Sequence, residues 1–305
     1  MPVFVAGTIT FKMSETYRTV VDPTATNNPH SYALQLVGSG HRVLEVGCSV
    51  GHVTQHLLAA GNSVVGVEID AQAAQEARAW ASTVHVIDLD RDDLTTVESG
   101  PFDVIVLGDV LEHLRDPVTV LRDLLTLLDP EGRVVISVPH VAHIDIRLML
   151  LEGKWEYQDD GLLDRTHLRW FTKASLRQLL ADVGLVATRI ERVRNGIGAS
   201  LLPVTPGIHG PDVIRFIEAD PEAHTYQFVV EAQATGEDVL LESPVDWPIA
   251  GDEAADLRFQ ISELRAHNTA LQTEVAAWHD AKIVKLAAPL RKAWGAVLRR
   301  RRARR

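Results

Sequence analysis

The chain reads Arg42-Val43-Leu44-Glu45-Val46-Gly47-Cys48-Ser49-Val50-Gly51 and resumes, after a helical stretch to Ala60, with Ser63-Val64-Val65-Gly66-Val67-Glu68-Ile69-Asp70. Each segment opens with an apolar run of strand length. A strand, a glycine turn, a helix and a second strand make one βαβ unit. Working outward, the pattern repeats. It predicts a helix from Ala71 to Trp80, a strand at Val84–Ile87 and another at Phe102–Leu107. A helix from Pro117 to Leu128 and a strand at Gly132–Val138 follow. Such alternation demands an α/β fold of Rossmann-like type: a parallel sheet covered on both faces and joined by right-handed crossovers. Thr172–Val183 and Asp212–Ala219 read as helices, and Leu185–Val193 and Thr225–Glu231 as strands. The two late strands predict an antiparallel edge.

The glycine turn after the first strand lets a ligand approach the backbone, and the following helix N-terminus favours an anionic group. It is not the G-x-G-x-x-G dinucleotide fingerprint, because Ser49 and His52 stand where glycines are needed. Glu68 ends the second strand, placed to accept both hydroxyls of a ribose. Asp88 ends the third, placed to accept from an adenine amino group.

With Val86-Ile87-Asp88 and Phe102-Asp103-Val104-Ile105-Val106-Leu107-Gly108-Asp109-Val110-Leu111-Glu112-His113-Leu114, these segments resemble the class I S-adenosylmethionine-dependent methyltransferases over about residues 29–233. The resemblance implies a seven-stranded sheet with one antiparallel strand and S-adenosylmethionine as cofactor. It implies the methionine portion near Glu45, Gly47, Cys48, Ser49, Gly51 and Asp109, the ribose on Glu68, and the adenine near Ile69, Asp88 and Leu89. Val110 and His113 complete the expected pocket. Ser49 departs from the glycine that many members carry. Glu112 and His113 either line that pocket or cap the next helix.

Residues 139–171 break the strand–helix rhythm and are read as a lid over the acceptor. They include Pro139-His140-Val141-Ala142-His143, Arg147, Gly153-Lys154-Trp155-Glu156-Tyr157 and Leu163-Asp164-Arg165-Thr166-His167-Leu168-Arg169-Trp170-Phe171. Methyl transfer needs the acceptor held in line with the sulfonium methyl and water kept out. An alcohol acceptor also sheds a proton, for which histidine is suited near neutral pH. His143 and His167 are therefore the candidate bases. His140, Arg147, Tyr157, Asp164, Arg165 and Arg169 are candidates to orient them or to grip a phosphate or acidic sugar. The lid resembles that of bacterial methyltransferases found beside glycosyltransferases in surface-polysaccharide and glycolipid assembly, with His140 where Asn is expected. The expected acceptor is a hydroxyl of a sugar or lipid-linked glycan. One alternative is a quinone or other small phenol, which calls for a more aromatic lid. Another is a cofactor-binding scaffold without turnover. His140-x-x-His143 and Asp164-x-x-His167 have ligand-like spacing, but no cysteine supports them and the resemblance implies no metal.

The 305 residues are 46% hydrophobic and 23% charged, which suits a folded chain with a large core. A single cysteine, Cys48, excludes an internal disulfide framework and fits a reducing compartment. No apolar run reaches the roughly 18 residues a membrane span needs, and Met1–Met13 lacks the features of a signal peptide. The net charge of −11 hides a split. Residues 281–305 hold ten Lys or Arg and no acid, which leaves 20 basic and 41 acidic residues elsewhere. So acidic a body repels phosphate, and nucleic acid is not an expected partner.

The expected organisation is a leader at 1–28, a methyltransferase domain at 29–236, a linker at 237–253, a coiled coil at 254–280 and a basic amphipathic tail at 281–305. Leu257, Ile261, Leu264, Asn268, Leu271, Val275 and Trp278 form a heptad seam, which predicts a homodimer through 257–278. Trp294 among the basic residues of 282–305 suits an anionic membrane surface. The expected location is cytoplasmic, peripheral at the inner face of the plasma membrane.

Overall fold

The computed structural model describes residues 21–97, 100–205 and 207–234, with Thr269 and residues 271–273. The chain divides into two units, Met1–Ala250 and Gly251–Arg305. In the second, the described residues are helical, and the Thr273 hydroxyl donates to the Thr269 carbonyl. Of the heptad seam only Leu271 is described, and it is exposed. The rest of the coiled coil, the linker from residue 237, the basic tail and leader residues 1–20 lie outside the described residues. No helix among the described residues is long and apolar enough to cross a membrane.

The first unit is built on a sheet of seven strands: β1 (Arg42–Val46), β2 (Ser63–Glu68), β3 (Thr83–Val86), β4 (Phe102–Gly108), β5 (Leu128–Pro139), β6 (Leu185–Arg194) and β7 (Thr225–Ala234). Their order is β3-β2-β1-β4-β5-β7-β6. The first five pair in parallel. β7 runs antiparallel to both β5 and β6. The helices are α1 (Pro29–Val37), α2 (Thr54–Ala59), α3 (Ala71–Ala77), α4 (Pro117–Leu125), α5 (Ile144–Leu151), α6 (Lys173–Asp182) and α7 (Pro211–Glu218).

Strand parity explains the two cores. Val43, Val64, Val104, Val106 and Val229 face Ala33, Leu36 and Val37 of α1 and Leu57 of α2. Their neighbours Leu44, Val65, Ile105, Leu107 and Val230 turn the other way, onto Val120, Leu121 and Leu124 of α4 and Leu176, Leu179 and Leu180 of α6. Alternate residues on two buried faces give the near-continuous apolar strands of a doubly covered sheet. Leader residues 21–28 close against one edge. Asn27 Nδ2 donates to the Arg194 carbonyl at 2.7 Å, and Asn27 Oδ1 accepts the Arg194 N–H at 2.7 Å.

The segment 139–171 departs from the expectation of a single lid. Its first half is α5, whose Ile144 and Leu148 pack with Ile217 of α7 and Ala223, while Ile146 and Met149 pack with Leu162, Leu163 and Leu202. Ile144-Asp145-Ile146-Arg147-Leu148-Met149-Leu150-Leu151 is apolar on nearly every side. Its period is therefore hidden, and only tertiary packing shows it to be a core helix.

Candidate active site

Strand order reverses between β1 and β4, so the loops after these strands part and leave a crevice at the carboxyl edge. The glycine turn after β1 opens into it. Gly47 has φ of 72°, and a Cβ there would lie 2.6 Å from Val110 Cγ2. Ser49, at φ 49°, adopts a left-handed conformation usually left to glycine. Its N–H is held by Glu68 Oε2 at 2.8 Å, while Glu68 Oε1 accepts the Asp70 N–H at 2.9 Å. The Glu68 carboxylate is thereby locked at the end of β2, and each oxygen keeps a lone pair for a ribose hydroxyl. Asp70 caps α3 by accepting from the N–H groups of Gln72 and Ala73. Gly51, at φ 89°, lies where a Cβ would come within 2.7 Å of the Trp80 ring.

Glu45 is sealed beneath α2, where its Oε2 accepts from the Thr54 hydroxyl at 2.6 Å. Burial pushes its carboxyl up to about 7, the Thr54 bond opposing and the Glu68 charge adding to the rise. The sulfonium and ammonium of S-adenosylmethionine are cationic and favour the ionised Glu45. Cofactor affinity is therefore expected to weaken as pH falls through about 7, and Glu45→Gln to flatten that dependence. Calorimetric titration with S-adenosylmethionine across that range checks both.

Asp109 sits at φ 54° directly after β4. Its Oδ1 accepts from the Ser137 hydroxyl at 3.1 Å and from Gln227 Nε2 at 2.5 Å. Burial raises its carboxyl, with His30 and His113 among the groups pulling it back. Asp88 lies in the turn two residues beyond β3, with Oδ1 accepting the Asp90 N–H and Oδ2 3.4 Å from Arg91 Nη1. Ile69 beside Glu68 is 51% exposed, an apolar face suited to an adenine ring, and Leu89 packs on the main core. Cys48 corrects the expectation. Its side chain is buried with Ala74, Ala77 and Val84, and its N–H is taken by the Val67 carbonyl at 3.1 Å. Its thiol is packed in the core beneath the turn.

The histidines and arginines of the former lid are mostly structural. His143 is the N-cap of α5 and 0% exposed. Its Nδ1 accepts the Asp145 N–H at 3.2 Å, so Nε2 carries the proton and donates to the Asn195 carbonyl at 3.1 Å. With both nitrogens engaged in the interior, it is not an acceptor-facing base. His143→Gln is expected to cost about 1–3 kcal/mol of stability, measured by urea denaturation, and to leave the pH–rate profile unmoved. His140 donates from Nδ1 to the Thr225 carbonyl at 3.0 Å and packs edge-on against Phe228. Burial lowers it to about 4. Arg147 pairs with Asp220 and donates to the Ala142 carbonyl. Arg165 pairs with Asp159 at 2.6 Å, and Arg169 donates to the Arg115 carbonyl. None of the three arginines stands uncommitted to grip an acidic acceptor.

One part of this region reaches the turn after β4. The Leu168 and Arg169 N–H groups donate to the Glu112 carbonyl at 2.7 and 2.9 Å, tying residues 164–171 to the turn after β4. This seats His167 beside His113, with ring centroids 4.9 Å apart. Buried Asp164 accepts from the Thr166 N–H and hydroxyl, each at 2.7 Å, and Thr166 Oγ1 contacts His113 Nδ1 at 3.2 Å. Burial, then the His113 charge, lowers His167 to about 4. Glu112 is not a helix cap but lies in the core of a 3₁₀ turn at Leu111–His113, and burial pushes its carboxyl well up. On the same segment, Trp155 meets Tyr157 and Trp170 edge-on, with centroids 6.3 and 6.0 Å away. Sequence reasoning missed Gln227 and His30. Each reaches Asp109 from an element remote in the chain, with no local signal.

A family profile described as "Methyltransferase domain" matches residues 19–190, more than half of the chain. The ubiquinone biosynthesis O-methyltransferase of Ralstonia nicotianae is 32% identical over 106 residues, which span 33% of this chain and 44% of that protein. Its Aeromonas salmonicida counterpart is 27% identical over 152 residues, 48% of this chain and 63% of that one. The matches thus span less than two thirds of these relatives' own length. Among solved structures, magnesium protoporphyrin IX methyltransferase from Synechocystis with bound S-adenosylhomocysteine aligns at a TM-score of 0.46 and 20% identity, covering 67% of this chain and 81% of that one. With the profile matching more than half of it, the chain belongs to the methyltransferase-domain family and carries an S-adenosylmethionine-dependent methyltransferase domain.

Proposed function

We propose that the chain is an O-methyltransferase acting on a phenolic oxygen of a small, lipid-soluble, quinone-like acceptor. The observation that carries this reading is its likeness to the ubiquinone biosynthesis O-methyltransferases, which match between 33% and 48% of the chain. The Trp155–Tyr157–Trp170 cluster supports it, since half-exposed aromatic rings suit a flat apolar acceptor. The sugar or glycan reading loses its main support, because Arg147 and Arg165 are held in ion pairs and Arg169 bonds a backbone carbonyl. In the reaction the acceptor oxygen attacks the methyl carbon as the carbon–sulfur bond breaks, and the phenolic proton leaves to a base or to water. The chain's own part is to fix the cofactor through Glu68 and the Gly47–Gly51 turn and to hold the acceptor in line.

Transfer of labelled methyl from S-adenosylmethionine into a hydroxylated benzoquinol, compared with sugar and glycan acceptors, tests this. Label in the phenol that is lost in Glu68→Ala supports it. Label in glycan only overturns the acceptor class. No label with cofactor still bound favours the scaffold without turnover.

A further inference from the structure

Glu112 is the least explained side chain in the site. It is 0% exposed, and among the described residues neither carboxylate oxygen has a hydrogen-bond partner. Nδ1 of buried His167 is also without one. Buried polar atoms are nearly always satisfied, and buried charges are paired or coordinate metals. The residues that carry them cluster with His113. One ligand atom from each of Glu112, His113 and His167 falls within 4.8 Å of the other two.

We infer that Glu112, His113 and His167 form a binding site for one divalent transition-metal cation. Two imidazoles and a carboxylate are a borderline donor set, suited to Zn²⁺ or Mn²⁺ rather than Ca²⁺. Metal–ligand distances near 2.1 Å put neighbouring ligand atoms roughly 3–4 Å apart. The observed spacing therefore closes on an ion with small side-chain rotations. The outer shell fits as well. The Thr166 hydroxyl gives its proton to Asp164 Oδ1, so it accepts from His113 Nδ1, which sets that imidazole's proton and orientation. Glu112 and His167 are buried, and His113 is half-buried. Three protein ligands with an open position is the pattern of metal sites that take water or a substrate oxygen. The two turns that carry the ligands are held in register by the Leu168 and Arg169 bonds to the Glu112 carbonyl. The cluster lies one residue turn beyond Asp109, at the carboxyl edge of β4.

The test uses the full chain, tag removed and stripped with chelator, with no acceptor or methyl transfer involved. It is titrated with ZnCl₂ and MnCl₂ by calorimetry, and metal content is read by mass spectrometry after dialysis. The expected result is one equivalent bound, with affinity lowered about 100-fold in Glu112→Gln and in His167→Asn, and a metal-dependent rise in melting temperature that both variants lose. Co²⁺ binding with a visible ligand-field spectrum, absent from the variants, is the spectroscopic counterpart. A wild-type chain that binds no stoichiometric metal overturns the inference. So does binding that persists unchanged in the folded variants. Each result stands whether or not the phenol is methylated.

Discussion

Glu68→Ala is expected to lower the affinity for S-adenosylmethionine about 100- to 10,000-fold, measured by calorimetric titration. Two hydrogen bonds from ribose hydroxyls to a carboxylate are worth roughly 1.5–3 kcal/mol each. Glu68 is also what holds the Ser49 N–H and the Asp70 N–H, so its loss loosens the turn and the start of α3 together. Glu68→Gln keeps an acceptor oxygen and should fall between wild type and Ala. Because the binding measurement needs no acceptor, it isolates this role from catalysis. Unchanged affinity in a folded Glu68→Ala protein would mean that the cofactor lies elsewhere.

Arg192→Ala is expected to cost about 1.5–3 kcal/mol of folding stability, the worth of charge-assisted hydrogen bonds to a buried carboxylate that keeps Lys173 and Thr225 as partners. Glu222 joins three elements. It accepts from Arg192 of β6 at 2.8 to 3.1 Å, from the Thr225 hydroxyl at the start of β7 at 2.7 Å, and from Lys173 of α6 at 2.9 Å. Burial alone would push the Glu222 carboxyl up, but these bonds outweigh it and hold it at about 2. Since that lies below the ordinary 4.5, the network's contribution is fully present above pH 4.5 and fades as pH falls towards 2. The gap between wild type and Arg192→Ala in chemical denaturation should therefore narrow over that interval. A gap that stays constant there would remove Glu222 as its source. Sequence alone pointed to none of these three partners, which lie on separate elements and carry no motif.

The strands, the glycine turn and the end of β2 were legible because their determinants are local. Gly47, Ser49 and Gly51 are one turn, Glu68 ends the adjacent strand, and period-2 and period-3.6 patterns mark the strands and helices between them. The seven-strand count and the single antiparallel strand followed from the family resemblance those residues carry. The lid was not legible for the opposite reason. His143, Arg147 and Asp164 are chemically competent residue types in a suggestive cluster, and residue type does not reveal burial. The packing of α5 against α7 and Leu202 turned His143 into a cap and Asp145 into an acceptor for Gly198 and Ser200. Cys48 failed in the same way, since the turn aims its side chain away from the crevice.

What the sequence by itself determined is the α/β fold and the glycine turn that follows β1, because both are written in residues close together in the chain. Only the tertiary structure decided which polar side chains are spent on holding the domain together and which stay available in the crevice. That depends on contacts between residues far apart in sequence. Glu112 and His167, 55 positions apart in the numbering, meet only because the segment after α5 docks on the turn after β4.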